Sequence, residues 1–246
     1  MIRIILALLF VILFLIVSIP IQLILLIYSK FGEQQEDAAR TASLRIVGWA
    51  FNVVKFISGI KLTVIGEENV PRDEAVLYVG NHRSIFDIVL TYPRVPHRTG
   101  FIAKQETKKI PVLGTWMVYM DCLFLDRKDI RKGLEMVLNA IEKVKKGVSI
   151  AIYPEGTRNK TDAPLLDFHK GSFKIAQKSG CAIVPVVMNH TRDILEAHMP
   201  FIHATKVVLE YGKPIYMKDL PKEDQKNIDT YVKNIIEEIY LRNETL

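Results

Sequence analysis

Hydrophobic positions are distributed unevenly along this chain of 246 residues, and the N-terminal stretch differs from all that follows. Residues Ile4 to Tyr28 are apolar at all but three positions, and only Arg3 and Lys30 are charged among the first 30 residues. A bilayer core of about 30 Å needs roughly 20 apolar residues of helix, so this stretch is long enough to span it. A cleaved signal peptide is the alternative, but the apolar run exceeds a signal core and no small-x-small cleavage site follows it.

Three features define the rest of this N-terminal region. Pro20 lacks a backbone donor and should kink a helix, which leaves either one kinked span or a bent pair of helices within one leaflet. The polar stretch from Gly32 to Arg40 predicts a turn at the membrane surface. Beyond it, Leu44 to Ile60 mixes apolar and basic residues, which suits a helix in the headgroup region or one packed on the soluble core. We therefore predict a membrane-anchoring helical segment over residues 1–58.

From about residue 59 the pattern changes, because short β-branched runs alternate with helical periodicity. Seven runs predict strands, at Lys61–Ile65, Ala75–Val79, Phe101–Ala103, Leu123–Leu125, Val148–Tyr153, Ile183–Met188 and Val207–Tyr211. Longer stretches predict helices, at Lys128–Lys146, Phe168–Ser179 and Lys222–Arg242. The alternation predicts an α/β domain over residues 59–246, with a mixed, largely parallel sheet flanked by helices. Ligands of such sheets gather beyond the carboxyl ends of the strands.

Composition and charge narrow the classes of function. The chain has 33 Lys and Arg against 27 Asp and Glu, a net charge of +6, and 49% apolar residues. This excludes a disordered chain, and the presence of only two cysteines excludes a disulfide scaffold. The charge excess is too small to indicate nucleic acid, so the expected partner is an anionic membrane surface or a phosphate-bearing substrate. Lys30, Arg40 and Arg45 follow the apolar segment closely, which places the remaining chain in the cytoplasm.

A candidate catalytic pair, His82 and Asp87, follows the strand predicted at Ala75–Val79. Five residues of regular helix give a net rotation of about 140°, so the two side chains meet only if His82 precedes the first turn and Asp87 reaches back. A carboxylate on one imidazole nitrogen fixes the tautomer and leaves the other nitrogen to take a proton from a hydroxyl. Taken alone the pair is a weak signal, because such pairs also occur as surface or capping features.

A second group of candidate residues follows the strand predicted at Val148–Tyr153. Pro154 and Gly156 bracket a sharp turn, in which backbone amides and Arg158 can face an anion. A guanidinium suits a phosphate because it donates two parallel hydrogen bonds. The alternative is a turn in which Arg158 simply pairs with Glu155.

Together, in this order, the two groups resemble the 1-acyl-sn-glycerol-3-phosphate acyltransferase (lysophosphatidic acid acyltransferase) family of glycerolipid acyltransferases. Four blocks match the family in order, at residues 81–87, 124–127, 153–158 and 183–186, within a resemblance that covers about residues 60–215. Each block is modestly specific, but four in register are strongly so. Three positions depart from the family pattern: Tyr153 replaces the usual Phe, Asn159 a common Ser, and Asp121 falls near a usual Gly.

The resemblance implies acyl transfer from a thioester to the free sn-2 hydroxyl of 1-acyl-glycerol-3-phosphate, which forms phosphatidic acid in phospholipid biosynthesis. By the same resemblance, His82 is the general base and Asp87 holds its imidazole. The expected phosphate-binding residues are Lys104, Arg127 and Arg158, and the expected acceptor-pocket residues are Glu155, Gly156 and Thr157.

The implied partners are a lipid bilayer, lysophosphatidic acid, and acyl-CoA or acyl-carrier protein as co-substrate, with no metal, no further cofactor and no nucleic acid. The implied location is a membrane, with the catalytic domain on its cytoplasmic face. Other acceptors, either another lysophospholipid or glycerol-3-phosphate, remain alternatives, as does a membrane-tethered lipid-binding protein. A serine hydrolase is a weaker rival, because Ser84 and Ser149 are present but G-x-S-x-G is not.

Overall fold

The N-terminal apolar stretch forms one long helix in a computed structural model that describes residues 1–126 and 129–246. Helix α1 runs from Ile2 to Tyr28, with Pro20 inside it. Most of its large apolar side chains are exposed. In the described part of the chain, this is the one helical stretch that is long and apolar enough to cross a membrane.

The turn after α1 is shorter than the sequence predicted. It consists of a single 3-10 turn at Ser29–Phe31 and Gly32, and helix α2 then runs from Glu33 to Ser58. The prediction of a turn as far as Arg40 was wrong because acidic residues in the first turn stabilise the helix start. Arg40 also pairs with Glu36 at 2.8 Å, one turn away along the same helix.

Helix α2 is amphipathic, so residues 44–58 pack on the soluble core through one face, and the location of the other face in the headgroup region stays a prediction. Val47, Ala50 and Val54 are buried against the rest of the protein, whereas Trp49 and Phe56 are 58% and 83% exposed. The exposed face carries large apolar side chains that the protein itself does not cover.

The sheet has seven strands in the order β1-β7-β6-β2-β5-β3-β4. The strands are β1 (Lys61–Ile65), β2 (Leu77–Gly80), β3 (Thr99–Lys104), β4 (Leu123–Leu125), β5 (Ser149–Ile152), β6 (Ile183–Asn189) and β7 (Lys206–Tyr211). Neighbouring strands are parallel except β6 and β7. Every predicted strand is present with its ends within two residues of the prediction, and the expected mixed, largely parallel α/β fold is confirmed.

Helices cover both faces of the sheet. The remaining helices are α3 (Phe86–Thr91), α4 (Leu113–Tyr119), α5 (Ile130–Lys145), α6 (Lys174–Ser179), α7 (Lys222–Lys226) and α8 (Ile228–Asn243). Two predicted helices are shorter or divided: a 3-10 turn replaces the first half of the one predicted at Phe168–Ser179, and Asn227 separates α7 from α8. Asn227 has a φ of −115°, which a continuous helix does not allow.

The N-terminal helices pack on one face of the sheet, and α5, α6 and α8 pack on the other. Trp116 of α4 is 1% exposed and donates from its indole nitrogen to Ser18 Oγ at 2.9 Å, which ties α4 to α1. Gln22 of α1 also donates to the Val112 carbonyl at 2.9 Å. The predicted boundary between residues 58 and 59 coincides with the end of α2, and the division into two domains stays a prediction.

Candidate active site

The candidate base lies in a loop that leaves the carboxyl end of β2. Asn81, 1% exposed, donates to the Met188 carbonyl at 2.8 Å and accepts from the Met188 amide at 2.9 Å, so it extends the pairing of β2 with β6 beyond Gly80. A side chain at Gly80 would meet the Val186 carbonyl at 2.9 Å. The start of the loop is therefore fixed to the sheet before His82 is reached.

His82 and Asp87 are in direct contact, and they meet under the condition that their spacing set. His82 precedes α3, and its Nδ1 lies 2.8 Å from Asp87 Oδ2. The same oxygen accepts from the backbone amides of Arg83 and Ser84 at 2.8 and 2.9 Å. The imidazole is 18% exposed and the carboxylate 1%. This arrangement leaves Nε2 for a substrate hydroxyl, because the carboxylate engages Nδ1.

The ring of Tyr153 covers one face of the imidazole. Its centroid lies 4.3 Å from that of His82, and the two planes are inclined by 13°. Tyr153 directly follows β5, the strand next to β2, so the stack follows from the sheet order. Together with Asp87, this ring leaves the imidazole few other orientations.

Glu155, in the neighbouring turn, binds the loop at residues 81–85 that carries His82, which we call the base loop. Its Oε1 accepts from the His82 amide at 2.7 Å and its Oε2 from the Leu166 amide at 2.9 Å. Burial raises the pKa of Glu155, and these two hydrogen bonds oppose that rise. Both oxygens of Glu155 are therefore occupied by backbone amides. Its role in an acceptor pocket stays a prediction.

The turn depends on a glycine at position 156. Gly156 has a φ of 70°, and a Cβ there would lie 3.0 Å from the His169 ring. Both facts favour glycine, since other residues seldom adopt this conformation and the space is occupied. The next residue, Thr157, is exposed beside the turn.

Arg158 is exposed on 44% of its side chain and pairs with Glu196, whose Oε1 lies 2.9 Å from its NH1. The sequence offered pairing with Glu155 as the alternative to an anion site, and the structure shows a different carboxylate in that place. The guanidinium thus lies next to the base loop, because Glu196 also contacts that loop.

Of the other two residues expected to bind phosphate, the structure describes only one. Lys104 is the last residue of β3 and is exposed, at the same edge of the sheet from which the β2 and β5 loops leave. Arg127 lies outside the described residues, so its assignment stays a prediction.

Sequence reasoning missed three residues that hold the two loops together. The backbone N–H of Asn159 donates to the His82 carbonyl at 2.7 Å, and the buried guanidinium of Arg83 donates to the Thr161 carbonyl at 2.7 Å. Glu196 is the third, and it comes from a segment after β6. The first two lie inside the matched blocks or beside them and were available as signals, whereas Glu196 stands in a stretch with no motif.

The two serines of the hydrolase alternative are both buried. Ser84 is 0% exposed and its Oγ donates to Glu196 Oε2 at 2.5 Å. Ser149 is 1% exposed and its Oγ accepts from the Val76 amide at 3.1 Å, within strand β5. Ser84 lies between β2 and α3, but its hydroxyl is buried and bound to Glu196, and Ser149 lies inside a strand, so neither hydroxyl is exposed as the nucleophile of such hydrolases is.

A match to a known protein family agrees with the geometry at this edge of the sheet. The model of the acyltransferase family matches residues 61–189, more than half of the chain. The chain therefore belongs to the acyltransferase family, as its sequence blocks indicated. The matched region includes His82, Asp87 and the turn that carries Arg158.

Three similar proteins are named for one activity. A 1-acyl-sn-glycerol-3-phosphate acyltransferase of Borreliella burgdorferi is 29% identical over 181 residues, which cover 74% of this chain and 72% of that protein. One from Saccharomyces cerevisiae is 30% identical over 175 residues, which cover 70% of this chain and 57% of that protein. The crystal structure of PlsC, the 1-acyl-sn-glycerophosphate (LPA) acyltransferase of Thermotoga maritima, matches with a TM-score of 0.79 and 26% identity, over 100% of this chain and 99% of that one.

Proposed function

We propose that this protein transfers a fatty acyl group from a thioester to the sn-2 hydroxyl of 1-acyl-glycerol-3-phosphate, and so forms phosphatidic acid. The observation that carries the proposal is the contact between His82 Nδ1 and Asp87 Oδ2 at 2.8 Å, in a loop beside the cationic side chain of Arg158. The family of this chain and the activity for which its relatives are named support the same reaction.

In this mechanism His82 acts as general base. Its Nε2 takes the proton of the acceptor hydroxyl while the hydroxyl oxygen attacks the thioester carbonyl carbon. The tetrahedral intermediate then collapses, the carbon–sulfur bond breaks, and the thiolate takes the proton from the imidazolium. Asp87 stabilises the imidazolium between these steps and holds the ring in the required tautomer. The sequence of steps uses no enzyme nucleophile, metal or further cofactor.

The acceptor is held by its phosphate. Arg158 and Lys104 supply cationic donors at the carboxyl edge of the sheet, and Arg127 is the third ligand expected from the sequence. Glu155, Gly156 and Thr157 shape the turn between the base loop and the guanidinium. Arg158 is the strongest of these candidates, since a guanidinium can donate two parallel hydrogen bonds to phosphate oxygens.

The acceptor and the product are lipids, which gives the N-terminal helices a role. We propose that α1 and the exposed face of α2 bind a bilayer, because both present large apolar side chains that the protein does not cover. The basic residues after α1 favour a catalytic domain on the cytoplasmic face, where acyl-CoA or acyl-carrier protein supplies the acyl group.

The test is an assay of the purified full-length protein in detergent with acyl-CoA and a panel of acceptors. The panel contains 1-acyl-glycerol-3-phosphate, lysophosphatidylcholine and glycerol-3-phosphate, and products are identified by mass. We expect phosphatidic acid as the main product. Preferential acylation of either other acceptor would replace the proposed substrate, and the absence of any acylated product would favour a lipid-binding protein.

A further inference from the structure

Glu196 lies between the two groups that the proposed reaction requires, although it belongs to neither. It follows the 3-10 turn Thr191–Ile194 and is held by its neighbours: the Ala197 amide donates to the Arg192 carbonyl at 3.0 Å, and Ile194 is 0% exposed. The Glu196 side chain itself is 15% exposed. The carboxylate is thus presented from an anchored segment and not from a free loop.

Both oxygens of Glu196 are used, and their donors come from two different loops. Oε2 accepts from Ser84 Oγ at 2.5 Å, and Oε1 accepts from the Ile85 amide at 2.8 Å. Oε1 also accepts from Arg158 NH1 at 2.9 Å. One carboxylate therefore links the loop that carries His82 with the guanidinium expected to bind phosphate.

The link matters more to Arg158 than to the base loop. Asp87 and Glu155 also accept amides of the base loop, so that loop has further supports. Arg158 hydrogen-bonds only to Glu196 among the described residues, and its side chain is 44% exposed. A long side chain with one partner depends on that partner for its orientation, since it otherwise samples many rotamers.

The Arg158 contact with Glu196 leaves donors available for a ligand. A guanidinium has five N–H groups, and the hydrogen bond to Glu196 uses NH1. The remaining N–H groups can donate to a phosphate while the Glu196 carboxylate stays bound to NH1. A ligand bound in this way has a fixed position relative to the loop of His82.

We propose that Glu196 is a positioning residue, which sets Arg158 at a fixed place relative to His82 so that a bound phosphate brings the acceptor hydroxyl to the base. This inference rests on the proposed function and assigns a role to a residue outside the sequence blocks. Its effect is on acceptor binding through Arg158, and it does not itself contact the reacting atoms.

The opposite role would be competition, in which the Glu196 carboxylate occupies the place of the phosphate and must leave before the acceptor binds. Two of its three hydrogen bonds go to the base loop and not to Arg158, which argues against such displacement. The two roles predict changes of opposite sign in the acceptor KM when Glu196 is removed.

The experiment compares Glu196→Ala and Glu196→Gln with the wild-type protein in steady-state assays with 1-acyl-glycerol-3-phosphate and acyl-CoA. For Glu196→Ala we expect the KM of the acceptor to rise about tenfold, with a smaller change in kcat and in the KM of acyl-CoA. Glu196→Gln keeps an amide oxygen that can accept from Ile85 and Arg158, so we expect it to restore the acceptor KM to within about threefold of wild type.

Asp193→Asn is the matched control. Asp193 lies on the same turn and is 52% exposed, and its partner is His190, at 3.6 Å, and not Arg158. We expect its kinetic constants to equal those of wild type. Thermal unfolding of each variant checks that a changed KM does not reflect a misfolded protein.

A double-mutant cycle with Arg158→Ala separates positioning from general support of the structure. If Glu196 acts through Arg158, Glu196→Ala should raise the acceptor KM strongly in the wild-type background and by less than about twofold in the Arg158→Ala background. Equal effects in the two backgrounds would overturn the proposal, and so would an unchanged or lower acceptor KM in Glu196→Ala.

The activity of the wild-type protein in the same experiment distinguishes a failure of the proposed function from a failure of this inference. If the wild-type protein does not acylate 1-acyl-glycerol-3-phosphate, the proposed substrate is wrong and the positioning role falls with it. If the wild-type protein does acylate it and only the variants depart from expectation, the role of Glu196 alone is wrong.

Discussion

Asp87 and Asp121 are both buried carboxylates, but different partners surround them. Asp121 accepts from Arg40 and Lys143 at 3.1 and 2.6 Å, and from two nitrogens of Arg98 at 2.9 and 3.1 Å. Asp87 accepts from one imidazole and two backbone amides through Oδ2, while its Oδ1 has no hydrogen-bond partner among the described residues. One carboxylate is surrounded by cations, and the other by an imidazole and two backbone amides.

The difference separates a structural carboxylate from one suited to catalysis. Burial alone would raise the pKa of Asp121, but the hydrogen bonds and charges of Arg98 and Lys143 hold it below its usual value. Its cations come from α2, from the segment before β3 and from α5, so the cluster joins three parts of the fold. Asp87 has no permanent cation among its hydrogen-bond partners, and its charge is available to the imidazolium that forms during turnover.

The largest effect should come from removing the imidazole. We expect His82→Ala to lower kcat on the order of 10⁴-fold, because general base catalysis is lost and no other described side chain contacts Asp87 Oδ2. Thermal unfolding should change little, since the ring is partly exposed and the loop amides remain bound. A variant that keeps more than a tenth of the wild-type rate, measured as phosphatidic acid formed per minute, would remove His82 from the base role.

A somewhat smaller loss should follow from Asp87→Asn. The amide cannot stabilise an imidazolium and can present an N–H to Nδ1, which favours the wrong tautomer, so we expect kcat to fall on the order of 10³-fold. The acceptor KM should stay within about threefold, because Arg158 is not a partner of Asp87. If a lower melting temperature, and so a smaller folded fraction, accounted for the whole loss of kcat, Asp87 would have only a structural role, like Asp121.

The fold was far easier to predict from the sequence than the partners of these carboxylates. Short β-branched runs located all seven strands because burial between two helical layers dictates their composition. The contact of His82 with Asp87 was predictable because the two residues are only five apart, with His82 before α3 and Asp87 in its first turn. The partners of Asp121 and Glu196 could not be predicted, because they are between 22 and 112 residues away and depend on how separate elements pack; the sequence marked Asp121 only as a departure from the family pattern.

The next effect is on stability, at Asp121. The residue has a φ of 58°, which Asn tolerates, so Asp121→Asn removes the charge without imposing backbone strain. Lys143 then has no other ion pair among the described residues, while Arg40 and Arg98 keep Glu36 and Asp37, and we expect the free energy of unfolding to fall by about 3 kcal/mol. Urea unfolding measures this loss. The kcat at a temperature where both proteins are folded should match, and a large loss of kcat would make the cluster part of the catalytic machinery.

The pH dependence of that loss tests its electrostatic origin. The folded-state pKa of Asp121 is lower than the usual value of 3.8, so the carboxylate contributes stability above that value and loses its contribution as the pH falls through the folded-state pKa. The stability difference between wild type and Asp121→Asn should therefore be constant from about pH 5 to 7 and shrink below about pH 4. A difference that persists undiminished in acid would indicate lost packing instead of lost charge.

The smallest effect should come from the uncharged neighbour of the base. Cations surround Asp121, whereas the neighbour of His82 is the uncharged ring of Tyr153. The centroids of the two rings are 4.3 Å apart and their planes are inclined by 13°. An aromatic face holds the imidazole by stacking and places no charge beside it. Tyr153→Phe keeps this face, so we expect kcat to change by less than about twofold, whereas Tyr153→Leu should lower it up to about tenfold. A loss in Tyr153→Phe as large as that in Tyr153→Leu would show that the hydroxyl, and not the ring, supports the base.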